Sequence, residues 1–323
     1  KLRQATPDSP EVLETIPLIK LDDIRKEAEV YPLKFRDIDG TRILDSCIDT
    51  HGIVYLIFFF DALKVPQNKL FHAYLLTELL GKVSTTKHSY GDLGNLINLN
   101  LGGFGTNLRA DSKNNEPDSF MPRLKVTAKG LESKIPAMFE ILSEIFTESV
   151  FTDKKRIREL IEEEQIGIEL NLQASATTIV AARIASYLSN AGAYNDAQIL
   201  PFNEFLKDLL SDFDEKFDAL SDELYEVYNQ LLNRNGLIVS VTATGDLYSE
   251  FRPHLRALIK SLPVDEYQTA DYSFPTVARN EGLYSQSRVQ YVGKGANFIR
   301  LGYDYTGAMS VLEHILRYEY FWT

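Results

Sequence analysis

The sequence predicts an α+β sandwich: a mostly antiparallel sheet packed on a separate layer of helices, as one complete unit plus the start of a second. Three observations lead there. Leu33 to Ile48 holds two strand-like pieces turning at Asp39-Gly40, a dipeptide suited to a two-residue hairpin loop. The run Ile53 to Asp61 is apolar throughout, which places it centrally in a sheet. From Leu131 onward helical periodicity dominates, over about 131–149, 152–190 and 201–233, so helices follow strands instead of alternating with them.

The remaining elements fall between these. Residues 1–30 carry Pro7, Pro10 and Pro17 with acidic spacers and read as a linker. His51-Gly52 punctuates the chain before the central strand. Pro66 fits the first turn of a helix to about Lys82, with Leu70, Tyr74, Leu75, Leu79 and Leu80 on its apolar side. Ser89 to Asn100 predicts another helix, broken by Gly102-Gly103-Phe104-Gly105 before a strand at Thr106 to Ala110. Asn114 to Ser119 is a polar turn, and Met121 to Lys129 a strand with alternating character. Thr152-Asp153 offers a helix N-cap. Leu237 to Ala243 reads as a strand and Asp246 to Ser261 as a helix, closing a complete unit over 31–262. A second unit, 263–323, opens with a linker to Phe274. Strands are then expected at Gly282 to Gln290 and Phe298 to Tyr303, and a helix over Ser310 to Tyr320. That helix meets no stop signal before Phe321-Trp322-Thr323, and the chain opens on Lys1 in place of Met, so a piece of a longer protein is expected.

Composition excludes several functions. The 323 residues carry a net charge of -12, which disfavours a nucleic-acid partner, because phosphate recognition needs clustered Lys and Arg. The basic stretch Lys154, Lys155, Arg156, Arg158 is followed at once by Glu159, Glu162, Glu163 and Glu164, the pattern of a solvated helix face. The longest apolar run, Ile53 to Phe60, is far short of a membrane span. The single cysteine, Cys47, cannot form an internal disulfide, and a small buried apolar role is expected for it.

Catalytic chemistry is not legible. A zinc-peptidase helix needs two His on one face beside a carboxylate, as H-E-x-x-H or H-x-x-E-H: the imidazoles ligate the metal and the Glu activates its water. The five histidines, His51, His72, His88, His254 and His314, include no two within one helical turn. Glu313-His314 echoes the inverted motif, but Ser310 stands where its second His belongs. His88 and Asp92 have i, i+4 spacing and lack a third ligand. The acids Glu159, Glu162, Glu163, Glu164 and Glu169 point around a helix in several directions, so a wet acidic face is expected, not a cation site. Gly102, Gly103 and Gly105 lack the Gly-Lys-Ser/Thr of a phosphate loop, and Gly293-Lys294-Gly295 is a hairpin turn. No catalytic or metal residue is assigned.

Several stretches, in order along the chain, resemble the insulinase-type (inverted zincin, M16) metallopeptidases, specifically the presequence protease branch. The stretch Thr6-Pro7-Asp8-Ser9-Pro10-Glu11-Val12-Leu13-Glu14-Thr15-Ile16-Pro17, through Leu21-Asp22-Asp23-Ile24, resembles the segment that leaves that branch's helical linker. His51-Gly52-Ile53-Val54-Tyr55 is similar to the start of its third domain's central strand. Leu93 to Thr106, ending Leu101-Gly102-Gly103-Phe104-Gly105-Thr106, is similar to the family's helix with a double-glycine strand entry. Leu312 to Trp322 resembles the helix of the last domain.

The resemblance implies a duplicated fold in which the first half carries zinc and the second keeps the architecture without it. Laid on this chain, the active helix falls on Tyr74-Leu75-Leu76-Thr77-Glu78, with Tyr and Glu in place of the two His and Thr in place of the Glu. The chain is then expected to be the non-catalytic C-terminal half of a zinc-dependent endopeptidase. Its partners would be the N-terminal catalytic half of the same polypeptide and an unfolded peptide, with no nucleic acid and no membrane. It would hold no cofactor itself, the zinc lying in the full-length parent. The family's substrate-binding Arg and Tyr lie in a Gly-Gly-Ala-Tyr segment that would follow Thr323, so those roles have no counterpart here. A bacterial cytoplasm is expected, with a mitochondrial matrix or plastid as the alternative. Two other readings share the missing motif: an inactive structural or binding protein on the same fold, and an unrelated hydrolase using scattered carboxylates.

Overall fold

Hairpin and helix layer follow from local chemistry. At Asp39-Gly40 both residues take positive φ, 50° and 84°, the twist a two-residue loop needs, and Asp37 accepts the Gly40 N–H at 3.0 Å. This closes strands β1 (Lys34–Ile38) and β2 (Thr41–Cys47) into an antiparallel pair. His51 and Gly52 make the next reversal, with φ of 54° and 76°, into β3 (Ile53–Asp61). The computed structural model describes residues 7–320 apart from 246, 276–279 and 285–288. It divides into two compact units, Lys1–Pro32 and Leu33–Thr323.

The smaller unit has one helical turn, Pro10–Leu13, and a short 3-10 turn, Leu21–Asp23, and its apolar residues lie exposed. The larger unit is built on a six-stranded sheet. After β3 come β4 (Gly103–Asp111), β5 (Met121–Leu131) and β6 (Ile238–Ala243), in the spatial order β1-β2-β6-β3-β5-β4. Only β2 and β6 pair in parallel; the other ladders are antiparallel. The mixed sheet on a helical layer is the expected α+β class.

β3 is central, between β6 and β5. Val54, Leu56, Phe58 and Phe60 point into the helix layer, where Phe146 meets the last two rings edge-on at 5.3 and 5.4 Å. The opposite face is only half covered, with Tyr55 at 40% exposure, so the apolar run does not mark burial on both sides.

The helices are α1 (Leu70–Leu79), α2 (Tyr90–Asn100), α3 (Ile135–Glu148), α4 (Lys154–Ala174), α5 (Ala176–Ser186), α6 (Asn190–Asp196), α7 (Leu200–Ser211), α8 (Phe213–Leu231), α9 (Tyr248–Ser261) and α10 (Gly307–Ile315). Pro66 starts a 3-10 turn over Gln67–Lys69 instead of α1 itself. α1 is buried on Ala73, Leu76 and Thr77 as well as on its expected apolar side, with Phe71, His72 and Glu78 half-buried. Asp153 caps α4 by accepting the Arg156 N–H, as expected. The long helices expected over 152–190 and 201–233 are each interrupted. Ser175 leaves helical geometry at φ -122° and ψ 36°, Ser189 restarts the chain as the N-cap of α6, and Asp212 breaks at φ -131°. Ser189 accepts the Gly192 N–H at 3.0 Å, whereas neither Ser175 nor Asp212 caps the following helix through its side chain. The turn between α5 and α6 is so tight that a Cβ on Gly192 would sit 2.1 Å from the Ala185 carbonyl oxygen.

Among the described residues, no strand forms where strands were expected near the C-terminus. Phe298–Gly302 is a set of turns in which the Phe298 carbonyl accepts from Leu301 and Tyr303, and no ladder includes residues 282–284 or 289–290. A strand exists only when paired with another, and none of β1 to β6 pairs with the described residues of this segment. α10 forms and continues into a wider turn over Leu316–Tyr320. Thr6, Asp246, 285–288 and Phe321-Trp322-Thr323 lie outside the described residues.

Candidate functional site

α1 carries the stretch aligned with the zinc motif, and its surroundings decide what that stretch can do. Tyr74 is 2% exposed. Its hydroxyl donates to the Tyr194 carbonyl, and its ring meets Tyr194 and Phe202 edge-on at 5.7 Å each. Burial drives the phenol far above its ordinary pKa, so it stays a neutral donor. Thr77 spends its hydroxyl on the Tyr74 carbonyl at 2.7 Å, and Glu78 pairs with Lys82 at 3.2 Å. A phenol locked in an aromatic core, a methyl-bearing hydroxyl and one carboxylate do not fit zinc, which wants nitrogen, thiolate or several carboxylates. Among the described residues no group of three His, Cys, Asp or Glu is arranged to hold a metal ion.

The histidines are scattered. His72, on α1, packs edge-on against Phe205 at 5.1 Å, and burial lowers its pKa. His88 precedes the N-cap Ser89, so it does not share a helical face with Asp92, whose N–H Ser89 accepts. Instead its Nδ1 lies 2.8 Å from the buried Glu144 carboxylate, which Thr85 also contacts through its hydroxyl. His254 stacks on Phe139 at 6.1 Å and lines, with His88 and Glu144, a pocket of about 380 Å³. His51 stands in its turn beside Asp49, and His314 packs on Tyr318 at 4.6 Å beside Glu313, which pairs with Arg317. Cys47 is half-exposed, not buried, with its Sγ 2.8 Å from the Gly245 carbonyl it donates to.

The acidic face of α4 divides. Glu159 and Glu162 pair with Arg156 and Arg158, and Glu169 reaches Lys207 at 3.1 Å. Glu164 turns inward to the Glu78 carboxyl. Burial first, then the Glu78 charge, raises its pKa to about 7. Nearby a groove of about 620 Å³ opens between the C-terminal end of α1, from Thr77 to Lys82, and the α2 face bearing Gly94, Ile97, Asn98 and Leu101. Its third wall is the first half of β4, Gly103 to Thr106.

A family model for the region associated with peptidase family M16, subfamily C, matches residues 1–209, which include α1 to α6 and the stretch Tyr74–Glu78. The chain belongs to this peptidase-associated family. It is similar to protein HypA of Clostridium perfringens, at 34% identity over all of this chain and 33% of that protein. It is also similar to presequence protease 1, chloroplastic/mitochondrial, of Arabidopsis thaliana, at 28% identity over all of this chain and 30% of that protein. The mitochondrial presequence protease of Saccharomyces cerevisiae is 25% identical over 77% of the chain and 25% of its own length. The chain thus spans about a third or less of the curated relatives it matches.

In this peptidase-associated chain, sequence reasoning missed the Glu78–Glu164 pair, although a signal was there. The buried stripe of α4 runs Ile157, Leu160, Ile161, Ile168, and Glu164 holds the place on that stripe where an apolar residue belongs. No described helix is long and apolar enough to cross a membrane.

Proposed function

We propose that this chain is the non-catalytic part of a zinc-dependent endopeptidase that degrades unfolded peptides inside a closed chamber. It supplies chamber wall and closure surface, and zinc and its bound water act from the other half of the parent polypeptide. The observation that carries this reading is the family match over residues 1–209; the resemblance would set Tyr74, Thr77 and Glu78 where the zinc motif stands, and these residues are engaged in packing and ion pairing. The relatives named as proteases support a peptidase parent. Alone, the chain is inactive. A bacterial cytoplasm or an organelle matrix would suit such an enzyme equally, since the relatives come from both kinds of organism.

Elemental analysis of this chain and its full-length parent, purified side by side, tests the reading. About one zinc per parent and none in the chain is the expected result. Zinc in neither protein would favour an inactive structural protein on the same fold. Stoichiometric zinc in the chain alone would overturn the assignment.

A further inference from the structure

β4 is an edge strand, and its two halves are treated differently. Ala110 directs both its N–H and its C=O away from β5, to the Asn195 side-chain amide at 2.9 and 2.8 Å. Alternate residues of an antiparallel strand share one side, so Leu108, Thr106 and Phe104 also present their peptide groups outward. The Leu108 carbonyl is met by the Gln198 amide, so α6 and its exit close this half as a partner strand would. At Phe104 and Thr106 no strand and no side-chain amide stands opposite among the described residues. Both residues line the 620 Å³ groove.

The groove is unusually bare. Gly81, Gly94, Gly102, Gly103 and Gly105 are among its lining residues, so much of its wall is backbone. A Cβ at Gly94 would meet nothing within 4 Å, which leaves open space on the inward face of α2. Beside Glu78, one of the lining residues, lies Glu164, with Glu163 adding negative charge and Lys82 opposing it.

We propose that the Phe104–Thr106 edge of β4 takes an extended peptide as an added strand in this groove, a Lys or Arg of that peptide reaching the Glu78–Glu164 pair. The occupant is argued from both parts. Outward N–H and C=O groups at alternate residues are satisfied by the main chain of an extended peptide of any sequence. The two carboxyls favour a basic side chain beside it. The proposal deepens the chamber-wall reading and rests on it, by giving the non-catalytic half a place to hold substrate.

The test is fluorescence anisotropy of a capped, labelled twelve-residue Ala/Thr/Lys peptide titrated with this chain. Binding is expected. It should weaken at least tenfold for Gly94→Leu, a helical position where added bulk fills the groove and the fold is checked by thermal melting. It should weaken as much for wild-type chain with the peptide N-methylated at its six central amides, a control that needs no variant. Replacing Lys by norleucine should weaken binding at least threefold. No binding of the parent peptide, or binding indifferent to both Gly94→Leu and N-methylation, overturns the strand-addition site and leaves the zinc partition between chain and parent untouched. Equal binding of the norleucine peptide overturns the role of Glu78 and Glu164.

Discussion

Glu164 is inward on α4 at a place where leucine or isoleucine would be ordinary, and it faces a second carboxyl. Two carboxylates in a partly desolvated site do not both ionise freely, so the folded state holds a proton on Glu164 that the unfolded chain releases. Its folded pKa, about 7, lies above the ordinary 4.5. Between these values the native state binds more protons, so stability falls as pH rises through the window and is lowest above it. Glu164→Gln removes the cost of ionisation. Thermal melts at pH 8 should show the variant more stable, on the order of 1 kcal/mol after solvent screening. The difference should shrink toward zero near pH 4.5. A variant equally stabilised at both pH values would place the effect in packing, not in the proton.

Asn195 works at the scale of an element, standing in for the strand that β4 lacks. Its amide satisfies both main-chain groups of Ala110, so Asn195→Ala leaves a half-covered donor and acceptor without partners. The expected loss is about 1–3 kcal/mol in urea denaturation, accompanied by concentration-dependent association in light scattering, because an uncovered edge pairs with other edges. Loss of stability in a strictly monomeric variant would mean that Asn195 holds α6 in place without guarding the edge. Element types were legible wherever a local rule acts alone: Asp39-Gly40 forces its turn, and Asp153 caps its helix. They were illegible where the decision is tertiary. Ser175 and Asp212 fall inside the long helices expected from periodicity, yet the chain breaks at both, and Ser189 starts a new helix. Residues 298–303 have the composition of a strand but pair with none of β1 to β6. In the candidate site, the place of the missing motif at Tyr74–Glu78 was implied by the family resemblance alone. The groove could not be read from residue types, because it depends on Gly94 of α2 facing β4 across space.

At the scale of the whole molecule the question is what a chain with a complete sheet and core, and without a zinc motif, contributes. On α1, Tyr74 is buried and tied to Tyr194 where a metal-binding helix would need an open face, while Glu78 lines the groove. Such a unit contributes shape, and shape matters to a peptidase through the volume it encloses. On the chamber-wall reading proposed above, confining an extended peptide would raise the effective concentration of its scissile bond at a zinc held by the other half. Separating the halves should therefore cost rate without touching the metal. Expressed alone, the catalytic half should keep its zinc and hydrolyse a fluorogenic peptide poorly, and adding this chain in trans should restore hydrolysis by at least tenfold in a saturable manner. Zinc content should stay constant throughout the titration, and this chain alone should give no hydrolysis. A catalytic half that is fully active by itself, or one that gains nothing from saturating amounts of this chain, would contradict the chamber-wall role.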